Sequence, residues 1–391
     1  MNSTFAVFFK EIRENLRDKR TVFSALIYGP LIGPVLFVVI MNMLVGQEMK
    51  KAEGPLKIPV IGAEYAPNLI DALKQQGLVP LPPIANPDKA VRDRDADVVL
   101  RIPASYPTAW KKGEPAQVEL IYDASERDSG TPTGRLAGML ERYSHQQGAL
   151  RLLARGLSPG VASPLVVSRR DQSTPQSRAG LALGILPYFF VFAVYLGGMY
   201  LAIDLTAGER ERQSLEPLFA NPVARSRILV GKLGAISAFS LASLVLTAVG
   251  FSVAAMFLPA GKLGMVFDLG PAFIGQAILL ELPLIAIFAV LETLVAAFAK
   301  SYREAQTYLG LLMIVPIVPS MLMSFMPVKA AHWMYAVPLL GQQIGISDLL
   351  RGNHVPAGDI GLALVCGFAF AAILGAITAV VYRTERLAIS A

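Results

Sequence analysis

Two glutamates stand inside a stretch of the sequence that is otherwise apolar. Glu281 and Glu292 are the charged residues of Leu269–Ala299, a run long enough to cross a lipid bilayer. Ionisable groups at membrane depth are costly and usually face a cavity or a partner group. The two are eleven residues apart, about three helical turns, so they share a helix face, with Gln276 on their outer side. Because carboxylate oxygens suit hard cations, these three side chains are candidates for a substrate pathway.

A structural role for the same glutamates remains an alternative. Glu292 lies near the predicted cytoplasmic end of the run, close enough to Lys300 and Arg303 to pair with them. Glu281 follows an apolar run and precedes Pro283, which favours a position nearer the outer surface than the midplane. Ion pathway and simple ion pairing are therefore both open for Glu292.

A second cluster of charge lies in "TAGERERQSLEPLFANPVARSRILVGK", residues 206–232, between two uncharged stretches. Gly208 is predicted to change the chain direction, and Glu209–Phe219 to form a short helix with acidic residues at its positive N-terminal end. Pro222 ends that helix. A charged helix with an apolar patch, held between two spanning helices, suits transmission of force from a docked protein. A topology-setting loop with snorkelling arginines is the alternative.

The composition around these residues is that of a membrane protein. The chain has 391 residues, 54% hydrophobic and 16% charged, whereas soluble domains are about 25% charged. The sequence predicts an α-helical integral membrane protein with six transmembrane helices and an α/β extracytoplasmic domain between helices 1 and 2. The six predicted spans are Thr21–Gln47, Ala179–Ile203, Leu233–Leu258, Leu269–Ala299, Ala305–Val328 and Ile360–Tyr382.

The distribution of Lys and Arg predicts the orientation. With a cytoplasmic N-terminus, the short inner segments hold 14 basic residues and the short outer ones hold 3. Short loops with more basic residues stay inside, and long domains do not count in this rule. Both termini are therefore predicted to be cytoplasmic. The net charge of +6 follows from this topology and gives no reason to expect a nucleic-acid partner.

The predicted organisation has four parts: a cytoplasmic interfacial amphipathic helix at 1–20, transmembrane helix 1 at 21–47, the extracytoplasmic domain at 48–178, and transmembrane helices 2–6 at 179–391. The last part contains the cytoplasmic coupling helix, at 207–227. The amphipathic helix has Phe5, Phe8, Phe9, Ile12 and Leu16 on one face, which suits the membrane interface, a packing partner, or both.

The predicted outer domain alternates strand-like and helix-like stretches. Lys57–Gly62, Asp97–Pro103 and Ala116–Asp123 are predicted strands, and a last one follows at Ser163–Asp171. Asp123, Glu126 and Asp128 form a loose acidic group, which is interpreted as a solvated turn because a metal site needs more ligands. No metal site is predicted.

Motifs for enzymatic chemistry are missing from the sequence. It contains no P-loop, no nucleophile elbow and no zinc-protease motif. Its single Cys366 allows no internal disulfide. The chain is therefore expected to be a non-enzymatic subunit that binds no cofactor of its own.

The segment "AIDLTAGERERQSLEPLFANPVARSRILVGKL" resembles the signature region of the ABC type-2 export permeases. The N-terminal "KEIRENLRDKRTVFSALIYGPLIGPVL" and the large outer domain are similar to that family as well. "ARGLSP" and the outer α/β pattern look most like the NatB-type sodium-export branch. The resemblance implies a homodimer with two copies of a separate ATPase subunit, which carries the ATP and Mg, in a bacterial inner membrane.

The resemblance also assigns residues to the coupling of transport to ATP hydrolysis. These are Gly208, Glu209, Arg210, Glu211, Arg212, Leu215 and Glu216. The expected function is the permease subunit of an exporter for sodium or another small cation. The alternatives are an exporter of a drug, peptide or lipid, and a membrane-anchored sensor that transports nothing.

Overall fold

The computed structural model describes residues 3–126, 129–162, 165, 168, 170–214, 223–325 and 329–383. It divides the chain into two compact units. One comprises residues 1–42 and 172–391 and contains the spanning helices, and the other comprises residues 43–171. The predicted last strand of the outer domain falls largely outside the described residues.

Within the described residues, six helices are long and apolar enough to cross a membrane, which confirms the predicted fold class. We name them spans 1 to 6: Phe23–Met43, Leu186–Glu211, Arg225–Ala255, Pro271–Ala296, Tyr302–Met323 and Ala357–Tyr382. Further helices in the same unit are Ser3–Asn15, Lys19–Val22, Pro175–Ala182 and Leu340–Leu350. The chain is therefore a multi-pass membrane protein.

Two of the spans contain irregular helical turns. Span 1 begins with a π-helical segment, Phe23–Tyr28, and continues as the α-helix Gly29–Glu53. Span 2 contains a second π segment, Asp204–Gly208. Ala25 of the first segment and Leu205 of the second are fully buried in one apolar cluster, so the two irregular turns belong to the same packed region. Such turns are rare and often lie at functional sites.

Span 2 lies at the centre of the bundle. In its apolar 18-residue stretch 78% of the residues are buried, whereas this share is 17% for spans 5 and 6. Two glycines bring it close to span 3. A Cβ on Gly197 would lie 2.5 Å from the Cβ of Ser243 and 3.0 Å from the Cα of Ser240. The close approach allowed by Gly197 and Gly198 is therefore to span 3 of the same chain.

The amphipathic helix Ser3–Asn15 packs against the first turns of span 3. Val7 and Phe8 contact Gly231 and Gly234, where the absence of a side chain lets the two helices approach. Phe5 and Phe9 remain 58% exposed. Both interpretations of this helix thus agree with the structure: one side packs on a partner helix, and the other presents apolar side chains outward.

The connection between spans 5 and 6 folds into the spanning unit. Its helix Leu340–Leu350 packs on span 4, where a Cβ on Gly345 would lie 2.8 Å from Leu280. Gln342 and Gln343 of this helix are almost completely buried. The Leu339 amide donates a 2.8 Å hydrogen bond to the Gln342 side chain, which caps the first turn.

The other unit is a small α/β domain with a four-stranded sheet. Its strands are β1 Leu56–Ile61, β2 Leu78–Leu81, β3 Val98–Arg101 and β4 Glu119–Tyr122. The strand order is β2-β1-β3-β4, with β1 parallel to both neighbours and β4 antiparallel to β3. The helices of the unit are Pro67–Gln75, Pro87–Arg92, Tyr106–Lys112 and Gly130–Ala154.

A core of its own holds this α/β unit together. Alternate residues of β1 and β3 point into it, and the helix Gly130–Ala154 covers it with Leu136 and Met139. The parallel pairing of β1 with β2 and β3 requires crossover connections, and the intervening helices Pro67–Gln75 and Pro87–Arg92 provide them.

Candidate functional site

Glu281 and Glu292 are both completely buried in span 4, with an exposed fraction of 0%. Neither carboxylate forms a hydrogen bond or an ion pair with any residue that the structure describes. The alternative in which Glu292 pairs with Lys300 or Arg303 is therefore wrong. Because an unpaired charge in a dry interior is very unfavourable, these carboxyl groups must be protonated or neutralised by a cation that no described residue supplies.

The two carboxylates lie on the face of span 4 that packs against span 2. Eleven residues of α-helix rotate by about 20° beyond whole turns and rise by about 16 Å. Phe288 lies between them on this face, and its ring meets the Tyr195 ring of span 2 edge-on at 5.4 Å. The Tyr195 hydroxyl is fixed by a 2.7 Å hydrogen bond to the Leu309 carbonyl. An aromatic contact thus separates the two acidic positions.

Gln276 does not join the glutamates. Its side chain is exposed, and five residues of helix place it on a different face from Glu281. The structure therefore places two of the three predicted pathway residues on one buried face of span 4, and it leaves Gln276 on the outer surface of the bundle.

The surroundings of Glu292 include two residues that sequence reasoning did not assign to the site. A Cβ on Gly198 would lie 2.7 Å from Glu292 Oε2 and 2.6 Å from the Ser240 hydroxyl oxygen. Spans 2, 3 and 4 thus converge at Gly198. The pattern of glycine and serine at helical spacing was the available signal, but it indicates close packing as readily as a site.

The predicted coupling segment begins differently from the expectation. Gly208 does not turn the chain, because its φ of −65° is helical and span 2 continues through it to Glu211. The helix ends at Glu211, and Gln213 then takes the left-handed conformation with φ of 57°. Glu209–Glu211 are therefore the last turn of span 2, not the start of a separate helix. Leu215 and Glu216 lie outside the described residues.

A buried ion pair holds this last turn against span 3. Lys232 Nζ contacts the Glu209 carboxylate and donates a 2.7 Å hydrogen bond to the Leu205 carbonyl. The Lys232 side chain is 0% exposed and that of Glu209 is 8% exposed. Leu205 belongs to the π segment of span 2. The pair therefore locks the irregular end of span 2 to the first turns of span 3.

The other charged residues of the motif bind the connection between spans 4 and 5. Arg210 donates a 2.8 Å hydrogen bond to the Ala299 carbonyl, and Glu211 accepts one of 2.8 Å from the Tyr302 amide. The exposed Arg212 forms an ion pair with Asp204 at 2.8 Å. The motif thus connects the predicted cytoplasmic ends of spans 2, 3, 4 and 5.

Glu11 of the amphipathic helix reaches the same cluster. It is 1% exposed and lies 3.3 Å from Lys10 Nζ. Burial raises the pKa of the Glu11 carboxyl, and the positive charge of Lys232 partly opposes this shift. The N-terminal helix is therefore electrostatically connected to the Glu209–Lys232 pair.

The α/β unit carries a pocket of about 490 Å³ lined by stacked aromatic rings. Tyr106, Trp110 and Tyr143 stack in series, and the Arg151 guanidinium lies 4.2 Å from the centre of the Trp110 ring. Burial raises the pKa of Tyr106 to about 12. The sequence did not single out this pocket, because its residues come from helices far apart in the chain.

The acidic group of the α/β unit has ordinary partners. Asp123 accepts hydrogen bonds from the Ser125 amide and hydroxyl, which lower the pKa of its carboxyl. Glu126 pairs with Arg94, and Asp128 lies outside the described residues. Among the described residues, no three potential ligands come together at a metal-binding position.

Comparison with known proteins identifies the class of protein. The family described as ABC-2 family transporter protein matches residues 25–380. The chain belongs to this family, which confirms the resemblance seen in the sequence, and it is the permease subunit of an ABC transporter. It is 25% identical, over 361 residues and 90% of each chain, to the ABC transporter permease protein NatB of Bacillus subtilis (strain 168).

Proposed function

We propose that this permease extrudes sodium or another small cation. The observation that carries the proposal is the pair Glu281 and Glu292: two fully buried carboxylates with no partner among the described residues, aligned on one face of span 4. Intramembrane carboxylates that face the bundle interior are typical of ion pathways. The similarity to NatB over most of both chains supports the same proposal.

The energy for this export is proposed to come from a separate ATPase subunit, which binds ATP and Mg²⁺ and docks on the segment 204–232. The hydrogen bonds and the ion pair at the end of span 2 support this proposal. Arg210 and Glu211 bind the span 4–5 connection, while Glu209 binds span 3. A force on this segment would therefore move several spans together.

The proposed assembly has two copies of this permease and two of the ATPase, in a bacterial inner membrane with both permease termini in the cytoplasm. Spans 5 and 6 have wide exposed apolar surfaces, which lipid or the second permease can cover. The mass of the purified complex measures the copy number.

Sodium flux in inverted membrane vesicles tests the proposed substrate. With ATP and the partner ATPase present, vesicles that contain the permease are expected to accumulate ²²Na⁺ in their lumen. Vesicles without the ATPase, and vesicles with Glu281→Gln/Glu292→Gln permease, are expected not to. Accumulation that does not depend on ATP, or none in the complete system, would refute cation export.

Export of an amphipathic drug, peptide or lipid is the second candidate, favoured by the aromatic pocket at Tyr106, Trp110 and Tyr143. Aromatic and apolar linings with a few polar groups are typical of small-molecule sites. The ATPase activity of the reconstituted complex separates the two candidates. Stimulation by amphiphiles without stimulation by sodium would establish the second.

A further inference from the structure

Ser240 differs from the other buried serine and threonine residues in the described part of the spans. Their hydroxyl groups each donate a hydrogen bond to a carbonyl oxygen, as short side chains in spanning helices usually do. These residues are Thr206, Ser243, Thr247, Thr293, Ser320 and Thr378. Ser240 is 0% exposed, and its hydroxyl has no hydrogen-bond partner among the described residues.

The free hydroxyl of Ser240 and the free carboxylate of Glu292 face the same point, above the Cα of Gly198. A Cβ there would be 2.6 Å from the hydroxyl oxygen and 2.7 Å from Glu292 Oε2. The two oxygens therefore lie no farther apart than the sum of these distances. One hard cation at about 2.3–2.6 Å from each ligand can bridge such a separation, with these two oxygens as part of its coordination shell.

The surroundings of these oxygens are closed to solvent, because Ser240 and Glu292 are both 0% exposed. A Cβ on Gly198 would also lie 3.0 Å from Ile236 Cγ2. Tyr195, one turn from Gly198, packs on Phe288, which is one turn from Glu292. Contacts this close leave no room for an amphiphile, so a ligand here must be as small as a dehydrated ion. A single positive charge would neutralise Glu292 and give both orphaned oxygens a partner.

We infer that Glu292 and Ser240 bind one dehydrated sodium ion over Gly198, on the predicted cytoplasmic side of the Tyr195–Phe288 contact. This site rests on the proposed cation export and gives it a first binding position. Glu281, on the other side of the aromatic contact, is the next acidic position along span 4. The ion would pass between the two when the spans move and the aromatic contact opens.

Equilibrium binding of ²²Na⁺ to the purified permease–ATPase complex tests the site. Loss of an interaction with a charged partner lowers affinity by about 10- to 100-fold. Glu292→Gln, which preserves the shape, is expected to reduce sodium affinity by at least this factor, and Ser240→Ala by about 10-fold. Thr247→Val is the matched control: this hydroxyl, also buried in span 3, already bonds the Ser243 carbonyl at 2.8 Å, so sodium binding should not change.

Gly198→Ala is a second test, which keeps both ligand residues in the sequence but adds a methyl group beside them. This methyl group would lie 2.6 Å from the Ser240 hydroxyl oxygen and 2.7 Å from Glu292 Oε2, so both side chains must shift and sodium binding should be lost. Each variant is checked for a single, monodisperse peak in size-exclusion chromatography. A variant that fails this check is replaced by Glu292→Asp or Ser240→Cys, for which weakened sodium binding is again expected.

The outcomes separate the site from the proposed function. If the wild-type complex transports and binds sodium but Glu292→Gln or Ser240→Ala binds it with unchanged affinity, the site is wrong and cation export stands. If the wild-type complex neither transports nor binds sodium, cation export itself fails. Proton uptake at Glu292 without sodium binding would also overturn the site, because a proton needs no second ligand from Ser240.

Discussion

At the scale of single residues, Glu209 and Lys232 form a buried ion pair that joins spans 2 and 3 at the predicted cytoplasmic end. Removing one partner of a buried ion pair leaves an uncompensated charge and costs about 3–5 kcal/mol. Lys232→Met is therefore expected to lower the free energy of unfolding by about this amount. Chemical denaturation of the purified permease in detergent measures it, and Arg227→Met, at an exposed position of the same span, should change stability little.

The double variant Glu209→Gln/Lys232→Met tests whether the pair itself causes this loss. Replacing both partners removes the orphaned charge, so stability should recover to near that of the wild type. A double variant as unstable as Lys232→Met alone would show that Lys232 acts through its bond to the Leu205 carbonyl instead.

Glu11 gives a prediction for pH. Burial raises the pKa of its carboxyl in the folded state above the ordinary glutamate value of 4.5, so the folded protein binds the proton more tightly than the unfolded chain. The contribution of the Glu11 carboxyl to the stability of the folded protein is fully present below pH 4.5. It is lost as the pH rises through the pKa that this carboxyl has in the folded state. Lys232, Lys10 and Glu209 face the same carboxyl, and Glu14 acts on Lys10.

Glu11→Gln should remove this dependence on pH. Its thermal midpoint is expected to exceed that of the wild type at pH 7 and to converge with it near pH 4.5, where the carboxyl of an unfolded chain titrates. Thermal unfolding of the two proteins across this pH range is the measurement. Glu14→Gln, at a side chain that is 61% exposed, serves as the control. A constant difference at every pH would refute the electrostatic explanation.

The site was partly predictable from the sequence at this scale. The glutamates are conspicuous because they are the charges of an apolar run, and their shared face follows from their spacing. Ser240 and Gly198 were not predictable, because their position beside Glu292 depends on how three helices align. The contacts of Arg210 and Glu211 with the span 4–5 connection depend on tertiary packing in the same way.

At the scale of elements, glycine packing determines how span 6 approaches span 4. A Cβ on Gly367 would lie 2.4 Å from the Cβ of Pro283, whereas one on Gly375 meets no atom within 4 Å. Gly367→Ala must push two backbones apart, and overpacking of this kind costs about 1–3 kcal/mol. Gly375→Ala, in the same helix, should be neutral or stabilising by up to about 1 kcal/mol. Unfolding midpoints of both variants test this, and equal effects would contradict the packing.

Hydropathy predicted the existence of all six spans, and their ends less well. Charge was expected to end span 2 near Ile203, but the helix continues to Glu211 because Arg210 and Glu209 find partners on neighbouring helices. Strand β2, Leu78–Leu81, was missed because four residues with an internal Pro80 give almost no periodic signal. Tertiary partners thus set the boundaries that local patterns could not.

At the scale of the whole molecule, the unit at 43–171 should fold without the membrane because it has its own core. A fragment of residues 54–158 is expected to be soluble and to unfold cooperatively. The sequence has two tryptophans, Trp110 and Trp333. Because Trp333 lies outside the fragment, the fluorescence of Trp110 reports the unfolding transition. Leu136→Ala, at a position 0% exposed, should cost about 2–5 kcal/mol. Leu153→Ala, 58% exposed, should cost less than about 0.5 kcal/mol.

Docking of the ATPase is the remaining property of the whole assembly, and the structure divides the expected coupling residues into two groups. Glu209 is buried against Lys232, so it can transmit movement but cannot touch a partner. Arg212 is 56% exposed and can touch one.

Arg212→Glu should therefore reduce co-purification of the ATPase by about tenfold or more, as expected when a charge contact is reversed. Asp204→Asn is the control, because it removes the internal ion pair but keeps the Arg212 charge for the partner. Glu209→Gln is expected to retain the ATPase while ATP-driven transport falls. Equal loss of the ATPase in all three variants would mean that the segment matters for folding and not for docking.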